Sequence, residues 1–435
     1  MLQTIQQKIL FMSSNKKSLF SVGLKTAVTR IFSAMFAFLL TLIVSRTTDT
    51  TISGQFFFLF NLVSLMAIVS QLGFDVSLVR YNAIAFNEQN TKQQSNNYKI
   101  ALSRSLLFCA VAIMVLASGA YLFPEQLNQT NTPLAAFILA LFCVPFLVLG
   151  QTNSRVLQAS KNVVSSLFAL QLGVSMLMFF FVAVLDVVNK QNIHSLIIAL
   201  LLASVIVAAV STFNWIKSGQ YEQPDKTSNK NMTASAKQVW IGSVFSNFLQ
   251  WGSLVIAGFF ISTSDLGLLA AAQRTSLLIG FVLITINFIV APMFASLYKE
   301  GAMIKLRNLS RLACRANIGL ALIPVLVCTL FPEFVMQFFG QEFIAAAPLL
   351  VALSLGQLVN VATGSVGFLL LMSGHEKVMK YITIVSGIIS ISLLIILCQL
   401  FGVLGAAWAI AIGMAIQNLA ALYFVKRYLG FFPVG

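Results

Sequence analysis

Ionisable side chains occur in segments of the sequence that are otherwise apolar. Lys25, Arg30 and Arg46 lie within or at the end of the first apolar run, Asp75 near the end of the second, and Arg274 within a later one. A cation at the centre of a bilayer costs about 2.5–3.5 kcal/mol on insertion scales, so it normally faces a protein interior or a wet cavity. Because the excess is cationic, it favours an anionic ligand, and the arginine fork suits phosphate or diphosphate.

The four cations differ in how firmly their positions predict a cavity. Arg30 lies about nine residues into its apolar run, roughly 13 Å at 1.5 Å per residue, which favours a side chain facing a lumen. Arg274 also reads as lumen-facing. Lys25 is one turn from the end of the run, so it could equally extend its amine to water, and Arg46 could equally be a solvated helix end paired with Asp49.

Uncharged polar residues also lie in these apolar segments. Amide side chains there either line a cavity or make hydrogen bonds between helices, worth about 0.6–2 kcal/mol each, and the sequence leaves both roles open. Asp75 is the acidic residue of these segments that is placed to bind a proton or sodium ion, with a salt bridge to Arg80 as the alternative. The amides that could line a cavity are Asn247, Gln250, Gln357, Asn360, Gln417 and Asn418.

No residue pattern typical of an active site or a metal site stands out. The five cysteines, Cys109, Cys143, Cys314, Cys328 and Cys398, lie inside apolar runs without metal-ligand spacing, which indicates small core residues. There is no Ser/His/Asp arrangement and no glycine-rich phosphate loop. We therefore expect no catalytic residue, no metal and no cofactor, and the protein is not predicted to be an enzyme.

The composition requires much of the chain to face lipid. It has 435 residues, of which 58% are hydrophobic and 9% charged, with a mean hydropathy of +0.91. Soluble domains carry about 25% charged residues, because their surface needs a polar coat. The composition therefore excludes a cytosolic enzyme, a secreted domain and a nucleic-acid-binding protein, although the net charge is +15.

Twelve segments have the length and apolarity of transmembrane helices, about 20 residues each. The alternating ten-residue pattern of an outer-membrane barrel does not occur. The predicted fold class is an all-α polytopic membrane protein with twelve transmembrane helices in two pseudo-symmetric six-helix lobes. The predicted spans are 21–44, 56–79, 100–123, 134–155, 163–185, 194–216, 238–261, 267–296, 312–331, 346–372, 379–400 and 403–425.

The loops between these segments predict the orientation. Most of the 27 basic residues fall in alternate loops, whereas the other loops hold Arg46 and Lys190 beside acidic residues such as Glu125 and Glu333. Because basic residues collect in the cytoplasmic loops of membrane proteins, both termini are predicted to be cytoplasmic. The protein is therefore predicted to be a multi-pass membrane protein.

The longest polar stretch, 217–237, divides the chain into halves that resemble each other. In each half a Ser/Thr/Asp-rich turn containing a glycine follows the first span, within Ser45–Phe58 and Ser262–Arg274. This pattern suggests a parallel repeat about an axis along the membrane normal. The predicted organisation is a cytoplasmic segment 1–20, an N-terminal lobe 21–216, a cytoplasmic linker 217–237, a C-terminal lobe 238–425 and a cytoplasmic tail 426–435.

Four stretches of the sequence resemble polysaccharide-transporter membrane proteins. Asp265–Gly301 is similar to a hallmark region of that family, and Pro332–Gly374 carries a P-x(6)-FG-x-EF core, then LGQLVN-x(3)-G and a terminal LMSG. Phe401–Asn418 has the FG-x-x-GAA turn into the last helix, and Ser45–Leu59 resembles the start of the family's second helix. In order and spacing, the resemblance covers nearly the whole chain.

This resemblance implies the multidrug/oligosaccharidyl-lipid/polysaccharide (MOP) exporter superfamily, with a MATE/MOP-like fold of two lobes around a cationic cavity. It further implies a Wzx-type flippase for undecaprenyl diphosphate-linked oligosaccharides such as O-antigen units. In related flippases, arginines on the first and eighth helices contact the diphosphate, which by position implies Arg30 and Arg274, and also Lys25 and Arg46, as substrate-binding residues. The implied partners are the lipid-linked oligosaccharide, membrane lipids and other polysaccharide-assembly proteins, with no nucleic acid.

Two other functions are open from the sequence. A drug/cation antiporter of the same superfamily would need carboxylates inside the spans, and apart from Asp75 the predicted spans have none. A membrane glycosyltransferase or polymerase acting on the same lipid carrier would need a large outward loop with catalytic residues, whereas every predicted outward loop is short. The flippase is therefore the preferred interpretation.

Overall fold

A computed structural model describes residues 25–26, 28–123, 131–188, 191–219, 222 and 229–434. Every regular element within these ranges is a helix, which confirms the predicted all-α class. The predicted segment 1–20 lies outside the described residues, as do Glu125, Lys190 and much of the predicted linker 217–237. The lobe boundaries therefore stay a prediction.

Side chains that accept hydrogen bonds from free backbone amides begin several helices of the first half. Asp49 accepts from the amide of Ile52 at 2.6 Å, and Asn192 and Ser195 form a capping box. These groups satisfy amides that lack a partner in a first helical turn. The helices described in this half are α1 (Val28–Thr47), α2 (Thr50–Ser70), α3 (Phe74–Asn87), α4 (Thr91–Leu122), α5 (Leu134–Leu141), α6 (Cys143–Ala159), α7 (Val163–Leu167), a π-helical turn (Phe168–Leu172), α8 (Gly173–Val187) and α9 (Ile193–Lys217).

The second half is built in the same way. The helix Thr263–Lys299 begins after Ser262, whose hydroxyl accepts a hydrogen bond from the amide of Asp265 at 3.1 Å. Its helices are α10 (Lys230–Asn247), a π-helical turn (Phe248–Gly252), α11 (Ser253–Ala257), α12 (Thr263–Lys299), α13 (Met303–Leu330), α14 (Pro332–Gln337), a 3-10 turn (Gln341–Ala346), α15 (Ala347–Thr363), α16 (Val366–Met372) and α17 (Glu376–Leu429).

The described residues contain ten helices that are long and apolar enough to cross a membrane, or eleven when the bent pair Lys230–Asn247 and Gln250–Ala257 counts as one span. The longest, α17, has 54 residues but leaves helical geometry at Gly402, where φ is 57° and ψ is −138°. At 1.5 Å per residue α17 is far longer than a bilayer core of about 30 Å. The predicted twelve is reached if α17 crosses twice, so that number stays a prediction.

The buried apolar residues form one core at one end of the bundle and two at the other. A large cluster joins both halves, with Phe56 of α2 and Leu269 of α12 among its members. The end of the bundle that carries the basic loops is here called the basic side, and the other end is called the opposite side. Toward the basic side the core divides. One cluster contains Phe294 and Val425, and a separate one contains Trp215. The two halves therefore share one large core at the opposite side, whereas on the basic side they have separate clusters, with Met232 and Ala236 of α10 packed into the cluster of the first half.

Two glycines allow the halves to meet backbone to backbone at the opposite side. A Cβ added to Gly54 of α2 would overlap the carbonyl oxygen of Thr263, and one added to Gly267 of α12 would overlap that of Thr50. The Thr50 and Ser264 hydroxyls also lie 2.8 Å apart. Gly54 and Gly267 belong to the two glycine-containing turns that resemble each other in the sequence. The repeated turns of the two halves therefore pack against each other.

Replacing Gly54 with alanine is expected to destabilise the protein. The added methyl group meets backbone rather than a movable side chain, and overpacking of this kind costs about 1–3 kcal/mol. Thermal unfolding in detergent should show a lower Tm for G54A. The matched control is Gly119→Ala, since a Cβ there has no neighbour within 4 Å; an unchanged Tm for G54A would contradict the close crossing.

The predicted orientation can be tested by cysteine labelling, because all five native cysteines are buried. Glu88 and Glu333 are both exposed, on the predicted cytoplasmic and outer sides respectively. A membrane-impermeant maleimide should label Glu333→Cys in intact cells and label Glu88→Cys only after permeabilisation. Labelling of Glu88→Cys in intact cells would show that the orientation is reversed.

Candidate functional site

A cavity of about 550 Å³ lies between the two halves. It is lined by α1, α2, α6 and the first π-helical turn on one side, and by the second π-helical turn, α12, α15 and α17 on the other. Its volume is within the usual range for small-molecule sites, about 300–1,000 Å³. The charged residues that line its described wall are Arg30 and Arg274, without a carboxylate.

Arg30 extends from the exposed face of α1 into this cavity. Its neighbours Thr29 and Ser33 are buried, and their hydroxyls donate to carbonyls of their own helix at 2.8 Å. Since these hydroxyls are satisfied within α1, they do not engage the guanidinium. Arg30 thus lines the cavity without a hydrogen bond to a described residue, and its role in binding a ligand stays a prediction.

Arg274 lies half-buried on α12 at the wall of the same cavity. Its guanidinium carbon lies over the ring of Trp251, 5.0 Å from the ring centroid. Within the described chain it has no hydrogen bond to a side chain and no carboxylate partner. The charge is thus held by an indole face, which contributes about 0.5–2 kcal/mol, and its donors are free for an anion.

Lys25 and Arg46 do not line the cavity. Lys25 is exposed at the start of the described part of the first helix. The Nε of Arg46 donates to the carbonyl oxygen of Phe338 at 2.7 Å, while Asp49, considered as its partner, caps α2. The predicted binding role of these two cations therefore has no support from the cavity, since Arg46 is already bonded to the backbone at the opposite side.

The predicted amides divide between cavity and packing. Gln250, Gln357, Asn360, Gln417 and Asn418 line the cavity. Of these, Asn360 donates from Nδ2 to Gln357 Oε1 at 3.1 Å. Asn247 is turned away from the cavity, and its Nδ2 donates to the carbonyl of Ser243 at 2.8 Å. Its proposed lining role is therefore not supported, because its amide is used within α10.

Several lining residues were missed by the sequence reasoning. Gln151 and Gln171 of the first half and Trp251 of the second line the cavity. The glutamines stand in predicted spans, so they carried the same signal as the amides that were nominated. Trp251 carried no such signal, because an aromatic residue in a span is usually core, and the π-helical turn that exposes it has no sequence signature.

Asp75 lies at the contact between the halves on the basic side. Its Oδ2 accepts from the Ser243 hydroxyl of α10 at 2.6 Å, whereas Oδ1 is buried and has no partner among the described residues. Arg155 of α6 is close enough to attract this carboxylate. Arg80, considered as its salt-bridge partner, instead lies over the Tyr81 ring, 6.0 Å from the ring centroid.

Helix α10 brings the second half into contact with the first around Asp75. The Trp240 indole donates to the carbonyl of Val69 at 3.0 Å, and Met232 is buried in the basic-side core of the first half. These contacts lie between the cavity and the basic side. They combine these hydrogen bonds with close packing, since a Cβ added to Gly73 would overlap the carbonyl oxygen of Ala236 of α10.

The described residues contain no group of three or more His, Cys, Asp or Glu side chains that could hold a metal ion. The five cysteines are all buried and unpaired, which confirms their interpretation as core residues. The polar character of the site therefore comes from two arginines, amides and hydroxyls.

Comparison with known proteins identifies the family. The model of the family described as "Polysaccharide biosynthesis protein" matches residues 23–298. The chain belongs to this family. It is also 24% identical over 375 residues to the uncharacterized membrane protein EpsK of Bacillus subtilis (strain 168), covering 81% of this chain and 72% of that protein.

Solved structures confirm the predicted MATE/MOP-like fold. The chain is similar to the lipid II flippase MurJ in its inward closed conformation, with a TM-score of 0.72, 15% identity, and coverage of 92% of this chain and 87% of that one. An inward-facing multidrug resistance MATE family transporter matches with a TM-score of 0.71 and 13% identity over 93% of this chain and 98% of that one. At these identities the likeness concerns the fold, which is that of transporters.

Proposed function

We propose that the protein is a flippase that moves an undecaprenyl diphosphate-linked oligosaccharide, an O-antigen or similar surface polysaccharide unit, from the cytoplasmic to the periplasmic leaflet of the bacterial inner membrane. One observation carries this proposal: Arg30 and Arg274 line one cavity from opposite halves, and the described wall has no carboxylate. Such a cavity attracts an anion, and membership of the polysaccharide biosynthesis family favours a diphosphate-linked saccharide.

The geometry suggests how the head group would cross. A diphosphate leaving water loses its hydration, which costs several kcal/mol per charge unless cations replace the water. Guanidinium groups supply paired donors for this. The lipid tail would stay in the bilayer while the halves, which share one large core at the opposite side and have separate clusters on the basic side, rock to open the cavity at alternate sides.

The charge of the cavity disfavours the drug/cation antiporter. A cationic drug in this cavity would lie near two arginines without a carboxylate on the described wall to compensate. A glycosyltransferase or polymerase on the same lipid carrier has no observation in its favour, since the polar groups of the cavity contain no acid/base pair. Both alternatives predict different results in the assays below.

Alanine at Arg30 or Arg274 is expected to slow translocation. Each substitution removes charge-assisted hydrogen bonds to the diphosphate, worth about 1.5–3 kcal/mol, or about a ten- to hundredfold lower rate. The measurement is translocation of a fluorescent polyprenyl diphosphate-linked saccharide in proteoliposomes. Lysine at either position should restore part of the rate, because it keeps the charge but not the fork.

Arg80→Ala is the matched control, because Arg80 is exposed and does not line the cavity. It should translocate at the wild-type rate. Wild-type rates in both R30A and R274A at equal protein levels would overturn the diphosphate site. Transport of a cationic dye by the wild-type protein, without movement of the lipid-linked saccharide, would instead support the antiporter.

Asp75 is our proposed site of ion coupling. Its carboxylate joins the halves through Ser243, and one buried oxygen has no partner within the described chain. Binding a proton or sodium ion there would neutralise the carboxylate that accepts from Ser243 of the second half, and would weaken its attraction to Arg155 of its own half. The contact between the halves through Ser243 would then respond to the ion.

Asp75→Asn should therefore make translocation independent of an imposed ion gradient. The amide retains an oxygen to accept from Ser243 but carries no charge to neutralise. Rates would be measured in proteoliposomes with and without proton or sodium gradients. Asp186→Asn is the control, since Asp186 is exposed and bonds locally to Gln191 at 2.9 Å. A gradient response of D75N equal to wild type, or a wild-type protein that responds to neither gradient, would contradict the coupling.

A further inference from the structure

A turn of π-helix interrupts one membrane helix in each half. The first, Phe168–Leu172, lies between α7 and α8, and the second, Phe248–Gly252, between α10 and α11. Each turn contributes a glutamine to the cavity wall, Gln171 from the first and Gln250 from the second. Single π-helical turns are rare and often occur at functional sites, because they change the direction in which side chains point.

These two glutamines differ from most other amides of the cavity in having no hydrogen-bond partner among the residues that the structure describes. The Gln151 side chain accepts from Gln71, and Gln273 donates to the Ser253 hydroxyl at 3.3 Å. Gln171 and Gln250 are exposed to the cavity, and neither side chain bonds to a described residue. The usual structural role of a glutamine in a span, a hydrogen bond between helices, is therefore not fulfilled by either.

The free amides lie next to the arginine site. Gln250 directly precedes Trp251, and the Trp251 ring lies against the guanidinium of Arg274. The same ring approaches Phe60 of the first half, with centroids 6.0 Å apart. A ligand group attached to a diphosphate at Arg274 would thus be adjacent to Gln250, with Gln171 on the facing half.

Amides complement hydroxyl groups better than they complement charges. Each glutamine offers two N–H donors and an oxygen with two acceptor positions, which matches the alternating donors and acceptors of neighbouring sugar hydroxyls. Beyond Arg30 and Arg274 the described wall carries no ionisable side chain. A carboxylate on the sugar would find its counter-charge only by competing with the diphosphate for these arginines.

We infer that Gln171 and Gln250 form a subsite for an uncharged, hydroxyl-rich saccharide unit attached directly to the diphosphate. The subsite rests on the proposed flippase function and specifies its substrate class. Because the two glutamines come from different halves, a sugar bound to both bridges the halves. Uncharged saccharides are thereby selected over uronic acids and over the sugar-free lipid.

The test compares three fluorescent short-chain polyprenyl diphosphates in proteoliposomes: one without sugar, one carrying N-acetylglucosamine and one carrying glucuronic acid. The wild-type protein should move the N-acetylglucosamine lipid at least about tenfold faster than the other two. Gln171→Met and Gln250→Met keep side-chain length but remove the hydrogen-bonding groups. Each should reduce this preference about three- to tenfold, as expected for loss of a neutral hydrogen bond.

Gln238→Met is the matched control, because Gln238 is an exposed glutamine of α10 outside the cavity; it should keep the full preference. If Q171M or Q250M folds poorly, shown by a lowered Tm, the Gln→Asn variants keep the amide but withdraw it by one methylene, which should also reduce the preference. A preference unchanged in both glutamine variants, or a wild-type protein that moves all three lipids equally, overturns the subsite while leaving the flippase intact. If the wild-type protein moves none of the three lipids, the proposed function itself is overturned.

Discussion

The guanidinium of Arg274 lies inside a bundle of apolar helices with an indole ring against it and no carboxylate on the described cavity wall. A cation–π contact contributes about 2 kcal/mol at most in ordinary sites, whereas withdrawing a charge from water costs several. The indole alone cannot compensate for that cost. The charge is stable there only if the cavity holds water or an anion, so the two halves must leave a hydrated space between them.

That space exists because the two halves pack differently at their two ends. At the opposite side, Gly54 and Gly267 bring backbones together within one continuous core. On the basic side, two smaller cores replace the single one, and α10 joins the halves by burying Met232 in the core of the first half and by hydrogen bonds such as that from Ser243. This contact buries less apolar surface than the large core shared at the opposite side, and the stabilisation grows with the buried apolar area. The basic-side contact is therefore the one that opens more easily.

The two π-helical turns place uncharged polar groups in the same cavity. A regular helix satisfies its own backbone and directs side chains along fixed stripes, and both π-helical turns depart from that regularity where a glutamine meets the cavity. Arg274, Trp251 and Gln250 consequently lie beside one another, although Arg274 belongs to a different helix from the other two. One wall of the cavity therefore carries a cation, Arg274, beside an uncharged amide, Gln250.

Much of the fold and part of the site could be predicted from the residues. The low charge content determined that the chain spans a membrane as helices, because apolar segments of this length have no other stable environment. The cost of a buried cation identified Arg30 and Arg274, which both line the cavity. The same reasoning nominated Arg46, whose guanidinium instead bonds the carbonyl of Phe338, almost three hundred residues later in the chain.

Sequence by itself thus determined the membrane class, the repeated glycine turns and the sign of the charge in the interior, since each follows from local composition and the energetics of burial. Only the tertiary structure decided which polar groups share the cavity. Asn247 bonds within its own helix whereas Gln250, three residues later, faces the lumen. The direction of a side chain depends on the rotation of its helix and on a π-helical turn between the two residues, and both are set by packing against distant parts of the chain.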